Sequence, residues 1–449
     1  MKFNKTIATT LLCAVVCGCT AYGVQSGLTA AAATQSVSTQ TAVVSTNEST
    51  NTKAAVSADD NTGAATTASA NDTVSKSAGT TASTSAGSFT GLTTLLDTSG
   101  LFTERDLEQT ADTSDATQIS LTDGQDVTIS SEGVYLVTGS ASNATIIVDA
   151  ADTDKLQIVL DGVTITNQSA PAIYVKSADK VFVTTVGDNA LSTTGAFSAD
   201  GTTNLDAVIF SKSDLVLNGT GSLTISSTAN GISGKDDLKF TGGTYTITAA
   251  EDAVEAHDSI RISDGSFTIS AKKDAFHSED DEDDSAGYIY IAGGTFEITA
   301  GDDGIQGTTY TIIDGGTLSI TASEGIEGTG VQINGGNIAI SATDDGINGA
   351  SKTSKFSPFI EINDGVIIVN MGQGDTDALD CNGNLTINGG TIDITAQSAF
   401  DYDGTGALNG GTITVNGSAV TSLTQTGPGG GKGGFQNGNG GFGGRGGRF

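Results

Sequence analysis

The chain has 449 residues and sets 19 Lys+Arg against 52 Asp+Glu, a formal charge of −33. That charge excludes a nucleic-acid partner, which needs a dense basic surface, and points to cations or to partners reached through them. Three of the 4 cysteines lie within the first 19 residues, so a disulfide framework is excluded too.

The first expected element is an export signal. Lys2 and Lys5 precede an apolar run, Ile7 to Val16, that is short for a membrane span. It ends in Val16-Cys17-Gly18-Cys19, which reads as a lipoprotein-type signal over residues 1–18. Cleavage there would leave Cys19 diacylated, and two acyl chains hold a membrane where one does not. An ordinary secretory signal is the alternative. Residues 19–90 are rich in Ser, Thr and Ala. Such a stretch cannot bury enough apolar surface to offset its chain entropy, so it reads as a disordered tether.

Residues 91–421 read as one all-β domain. Irregular strand-like runs over 115–220 are expected to be the first coils and an N-terminal cap. A repeat follows, as in Thr241-Gly242-Gly243-Thr244-Tyr245-Thr246-Ile247-Thr248. The second residue of its Gly turn recurs at 243, 265, 294, 316, 336, 365, 390 and 411. The base period is about 21–22 residues, with longer insertions in two repeats. Tyr245 and Ile247 alternate with Thr, which puts the apolar pair on one face of a strand. A second apolar position recurs as Ile232, Val254, Phe276, Ile305, Ile326, Ile347, Leu379 and Phe400. A third piece recurs as pairs such as Leu238/Phe240 and Ile260/Ile262. Three strands in so short a period predict a parallel β-helix; a propeller blade needs about twice the length. The Gly-rich residues 422–449 read as a flexible tail.

The second strand of each coil carries the chemistry. Its pattern is acidic, then Gly or Ala, then apolar, then polar: Asp252-Ala253-Val254-Glu255, Asp274-Ala275-Phe276-His277, Asp303-Gly304-Ile305-Gln306 and Glu324-Gly325-Ile326-Glu327. It continues through Asp345, through Asp377 with Asp380, and to Asp401. Successive coils stack equivalent residues roughly 4.8 Å apart, so these carboxylates repel one another. A hard cation taking six to eight oxygens would resolve the repulsion, which makes Ca²⁺ the expected cofactor. The expected ligands are Asp252, Glu255, Asp274, Asp303, Glu324, Glu327, Asp345, Asp377, Asp380 and Asp401. A solvated acidic edge is the plainer alternative. The run Glu279 to Asp284 lies in one of the two long insertions and reads as a loop.

Lys212, Lys235 and His257 fall at equivalent places in three coils. With Arg261, Lys272 and Lys273 they are candidates for the base a lyase would need; neutralising nearby carboxylates is their simpler role. Cys381 reads as a small core residue.

The ordered segments Leu156 to Ile165, Ala170 to Val175, Asp206 to Leu215 and Asn230 to Leu238, followed by the Gly-Gly-Thr and Asp-Gly-Ile units, resemble a bacterial family. These are the secreted right-handed β-helix proteins known as carbohydrate-binding domain-containing proteins. The resemblance covers roughly residues 115–420. It implies a polysaccharide-lyase-like fold, bound calcium, and noncatalytic binding of cellulose or acidic sugars. The expected function is thus a surface-tethered, calcium-dependent binder of plant cell-wall or other acidic polysaccharide. A pectate lyase and a structural envelope spacer are the alternatives. With no Trp and 5% aromatic residues, flat platforms for neutral glycans are scarce.

Overall fold

The computed structural model describes residues 95–280, 283, 285–373 and 376–425. They belong to one compact unit, Phe89–Phe449. The expected signal 1–18, Cys19, the tether to residue 90 and the tail beyond 425 lie outside the described residues, as does part of the Glu279 to Asp284 run.

The described chain is all-β apart from a 3₁₀ turn at Thr98–Gly100. Within the coils, strands pair in parallel with their equivalents one coil onward, and the pairs form three ladders around one core. This winding is compatible with a parallel β-helix.

The first ladder follows the Gly turns. Its register runs Leu223↔Tyr245↔Phe267↔Phe296↔Leu318↔Ile338↔Ile367↔Ile392↔Ile413. In Thr244–Ala249, Thr residues are exposed and Tyr245, Ile247 and Ala249 are buried, as period-two geometry demands. The eight turn glycines all hold positive φ, from 87° at Gly411 to 143° at Gly265. That region strains any residue with a Cβ.

The second ladder is Ile232↔Val254↔Phe276↔Ile305↔Ile326↔Ile347↔Leu379↔Phe400, the set expected from spacing. The third passes from Leu238/Phe240 through Ile260/Ile262 and Ile289/Ile291 to Val331/Ile333, Ile360/Ile362 and Leu385/Ile387. Between them Thr311 takes an inward place. It is fully buried, and its hydroxyl donates to the Glu327 carbonyl at 2.6 Å.

The outward side of the third ladder is covered by residues 95–109. They run along the flank of the coils, which the sequence reading did not anticipate. Leu101 packs with Tyr288, Tyr290 and Ile312. Arg105 lies 4.4 Å over the Phe182 ring. Asn218 Nδ2 donates to the Glu108 carbonyl at 2.9 Å, and Gln109 Nε2 to the Thr241 carbonyl at 2.8 Å. Asp106 is wholly buried, 3.5 Å from Lys180 Nζ and 3.3 Å from Lys239 Nζ. At the other end Thr412–Val415 turns back through Asn416 and Gly417, both at positive φ, and pairs antiparallel with Ser418–Val420. That hairpin covers an edge the last coil would leave unpaired.

Asp106 fastens this strap, so Asp106→Asn should lower unfolding stability by about 1–3 kcal/mol, because two lysines lose their counter-charge where water is excluded. Denaturant titration measures it. A loss within error would mean the strap contributes nothing to the fold.

Candidate functional site

Across the second ladder each apolar residue points inward and the polar residue after it points out. The acid two residues before it stands at or just before the start of the strand and is buried at Asp252, Asp274 and Asp303. The register sets Asp303 against Glu324 and Asp345 against Asp377. Backbone amides relieve part of the repulsion. Asp252 Oδ1 accepts from the Asp274 N–H at 3.0 Å, and Asp274 Oδ1 from the Asp303 N–H at 2.8 Å. Asp345 Oδ1 accepts from the Asp377 N–H at 3.2 Å. One oxygen of each carboxylate is thus tied to the next coil, and the other is left for chemistry.

Two groups of expected ligands converge. In the first, Asp252 and Asp274 meet His277, whose Nδ1 stands 3.7 and 3.4 Å from their Oδ2 atoms. Burial alone would push the His277 imidazole down, but Asp252, Asp274 and Glu279 hold it above its usual value. A protonated His277 offsets the two aspartates from within. The sequence reading counted His277 only as the polar end of its pattern; its place one rung from Asp252 was the available signal.

In the second group, Asp303, Glu324 and Glu327 bring carboxylate oxygens within 4.8 Å of one another. Burial, and then the Glu327 charge, push both Asp303 and Glu324 well above the ordinary carboxylate range. Gln306 Nε2 donates to Asp303 and to Glu327. Asn348 Nδ2 donates to Glu324 at 2.9 Å and Glu327 at 3.2 Å, while its Oδ1 is buried with no hydrogen-bond partner. Lys352 reaches in from an insertion loop, with Nζ 2.7 Å from Glu327 Oε2.

The remaining expected ligands stand apart from these groups. Glu255 accepts from Asn230 at 2.7 Å and pairs with Lys235 at 3.1 Å. Asp345, Asp377, Asp380 and Asp401 continue the stack, but among the described residues no three of their oxygens converge. Burial and the Asp380 charge raise Asp345 to about 7, and burial with Asp377 and Asp401 raises Asp380 to about 6. Two further groups were not anticipated: Asp274 with Asp302 and Asp303, and His257 with Asp258 and Asp280.

Lys212, Lys235 and His257 do stack on successive coils, each following a paired strand residue. Of the residues considered for a lyase base, several are engaged: Arg261 lies 2.6 Å from Asp237, Lys273 2.9 Å from Glu251, and Lys212 donates to Thr203 at 2.7 Å. Cys381 is buried, and burial pushes its thiol up to about 12.

The low aromatic content concealed a local cluster on the third ladder. Tyr310, Gly330 and Phe359 share one rung position. Gly330 leaves room for the rings on either side, since a Cβ there would sit 2.5 Å from Phe359 and 2.9 Å from Tyr310. Phe356 then stacks on Tyr310 with ring centres 4.8 Å apart.

Residues 123–376 match a family described as "Carbohydrate-binding domain-containing protein". A relative from Acetivibrio thermocellus, described in the same words, is 35% identical over 124 residues. The match covers 26% of this chain and 43% of that relative, so the chain spans less than half of the relative's length. A solved structure described as a polysaccharide lyase-like protein from C. thermocellum, in a gadolinium derivative, aligns at 30% identity with a TM-score of 0.44. The alignment covers 46% of this chain and 91% of that one.

Proposed function

We propose that this chain, which belongs to the family of carbohydrate-binding domain-containing proteins, is a noncatalytic binder of acidic polysaccharide that works through a hard divalent cation. The observation carrying the cation is the convergence of Asp303, Glu324 and Glu327 beside the unpartnered Asn348 Oδ1. The donors are all oxygens, which suits Ca²⁺. Amide ends at Gln306 and Asn348 are assigned from hydrogen bonds, and exchanging them would turn further oxygens toward the carboxylates. Asp303, Glu324 and Glu327 would hold the ion, and the ion would supply an open coordination place for a uronate carboxylate. The mixed nitrogen and oxygen set at Asp252, Asp274 and His277 suits calcium less well.

A cation also removes an electrostatic conflict. A protein of charge −33 meeting a polyanion directly would be repelled. Residues 1–18 and Cys19 complete the reading as export signal and lipid anchor, holding the module outside the cell. The ion-paired state of Arg261, Lys235 and Lys273 favours binding over lyase chemistry, which needs an uncommitted base.

The test is affinity electrophoresis in polygalacturonate, with calcium and with chelator. Retardation should require calcium, and Asp303→Asn with Glu324→Gln should weaken it about tenfold or more. Equal retardation in chelator, or by the paired variant, would sink the cation mechanism. Unsaturated product absorbing in the ultraviolet would overturn the noncatalytic reading.

A further inference from the structure

The second insertion, residues 350–358, stands between Asp345–Gly349 and Phe359–Ile362 and lines an open cavity of about 700 Å³. That is within the range of small-ligand sites. In a chain so acidic its lining is unusual: two cations, Lys352 and Lys355, one aromatic ring, Phe356, several hydroxyls including Ser354, and the Asn382 amide.

The loop is fixed at both ends. The backbone N–H groups of Lys352 and Thr353 both donate to the buried Thr329 Oγ1, at 3.1 and 3.0 Å. Asn384 N–H donates to the Pro358 carbonyl at 3.2 Å, and Gly383 leaves that carbonyl room, since a Cβ there would meet it at 1.8 Å. Phe356 is held by its stack on Tyr310. A cavity set before a ligand arrives loses less freedom on binding.

We propose that this cavity is the subsite for one acidic sugar residue, a hexuronate unit of the polymer. The inference rests on the polysaccharide-binding reading above and names where the sugar sits. Lys355 pairs with the uronate carboxylate, the Phe356 ring takes an apolar sugar face, and the hydroxyls with Asn382 meet the ring hydroxyls. A neutral apolar ligand would leave those polar groups unsatisfied. Lys352 bridges the cavity to the carboxylate cluster through Glu327 and positions the loop. The Lys355 charge reaches Asp283, whose carboxyl is held below its usual value first by Ser285 and, less strongly, by Lys355. The incoming uronate exchanges with Asp283.

The experiment adds trigalacturonate to the full chain and follows amide hydrogen exchange, with a neutral cellotriose arm and a sulfated trisaccharide arm. Trigalacturonate should protect residues 351–358, cellotriose should not, and the sulfated sugar should protect them less. Lys355→Ala and Phe356→Ala should each weaken binding about tenfold or more, and Asp283→Asn should tighten it a few-fold. Lys355 and Asp283 are exposed, so their variants leave the fold intact, while Phe356 is half-buried and its variant also loosens the loop. No protection of 351–358 by trigalacturonate overturns the subsite. If the polymer is still retarded in polygalacturonate gels, the binding function stands and only this location falls. If it is not, both fall. Equal protection by cellotriose, or stronger protection by the sulfated sugar, overturns the uronate assignment.

Discussion

Phe267→Ala should destabilise the protein by about 3–5 kcal/mol, the usual range for truncating a buried aromatic ring. Phe267 is 1% exposed and sits in the middle of an aromatic spine. Its ring stacks on Tyr245 with centres 5.1 Å apart and on Phe296 at 4.8 Å. Phe240 and Phe276 meet it edge-on at 5.3 and 5.7 Å. Removing the ring leaves a hole walled by four others on its own and adjacent coils, and coils held in parallel register cannot collapse into it. The Gly turn is part of the same packing. A Cβ on Gly265 would come within 2.8 Å of the Phe267 ring, so the glycine both adopts positive φ and admits the ring. Denaturant titration of the variant measures the loss. A value below about 0.5 kcal/mol would mean that the spine is not the core of the coil.

The spine was legible because its signals are local. A Gly pair, a Thr-flanked apolar alternation and a return every coil lie within one window of sequence, and the register they imply is the one observed from Leu223 to Ile413. The acidic positions were legible for the same reason. What escaped the sequence depends on contacts far apart in the chain. Residues 95–109 carry no repeat, and their partners lie far along the chain, as in the Gln109 to Thr241 bond across a separation of 132. Their only trace was indirect: Tyr288, Tyr290 and Ile312 occupy outward positions of the third ladder where water would otherwise meet them. Lys352 was hidden because an insertion loop has no periodicity to predict where it returns. The aromatic cluster was hidden because composition averages over the chain, whereas Tyr310, Gly330 and Phe359 matter only when the coils bring them to one rung. Of the ten expected ligands, the stacking of acids was a matter of period. Which of them converge was decided by their neighbours: Lys235 takes up Glu255, while Gln306 and Asn348 draw Asp303, Glu324 and Glu327 together.

In chelator the protein should melt several degrees higher at about pH 5 than at about pH 8, and calcium should remove most of that gap. The sign follows from the direction of the shifts. Burial and neighbouring charge raise Asp274 to about 6, Asp345 to about 7 and Asp380 to about 6, and they raise Asp303 and Glu324 as well. Each such carboxyl keeps its proton in the folded state at a pH where the unfolded chain has lost it. Below the unfolded value, about 4, the two states do not differ. As pH rises toward the folded values the fold must hold charges it resists, and stability falls. His277 acts in the same direction, because its folded value is raised and its stabilising charge is lost as pH rises through it. Asp106 and Asp252 oppose this only in acid. Burial pushes both up, but the Thr103 amide with Lys239 and Lys180 in one case, and His277 with the Asp274 amide in the other, hold them below the usual range. Their contribution is present above about pH 4 and is lost beneath it. A maximum near pH 5 is therefore expected. At about pH 8 a divalent cation can replace the protons on Asp303 and Glu324, which is why calcium should raise the melting temperature there and do little at about pH 5. General repulsion within a chain of charge −33 also favours low pH. The Asp303→Asn, Glu324→Gln variant separates the two effects, since it should flatten the pH slope and lose the calcium response while changing net charge by only two. A melting temperature in chelator that is flat with pH, or higher at about pH 8, would mean that the stacked carboxylates are ionised and solvated. A calcium response that survives in the paired variant would move the cation away from Asp303 and Glu324.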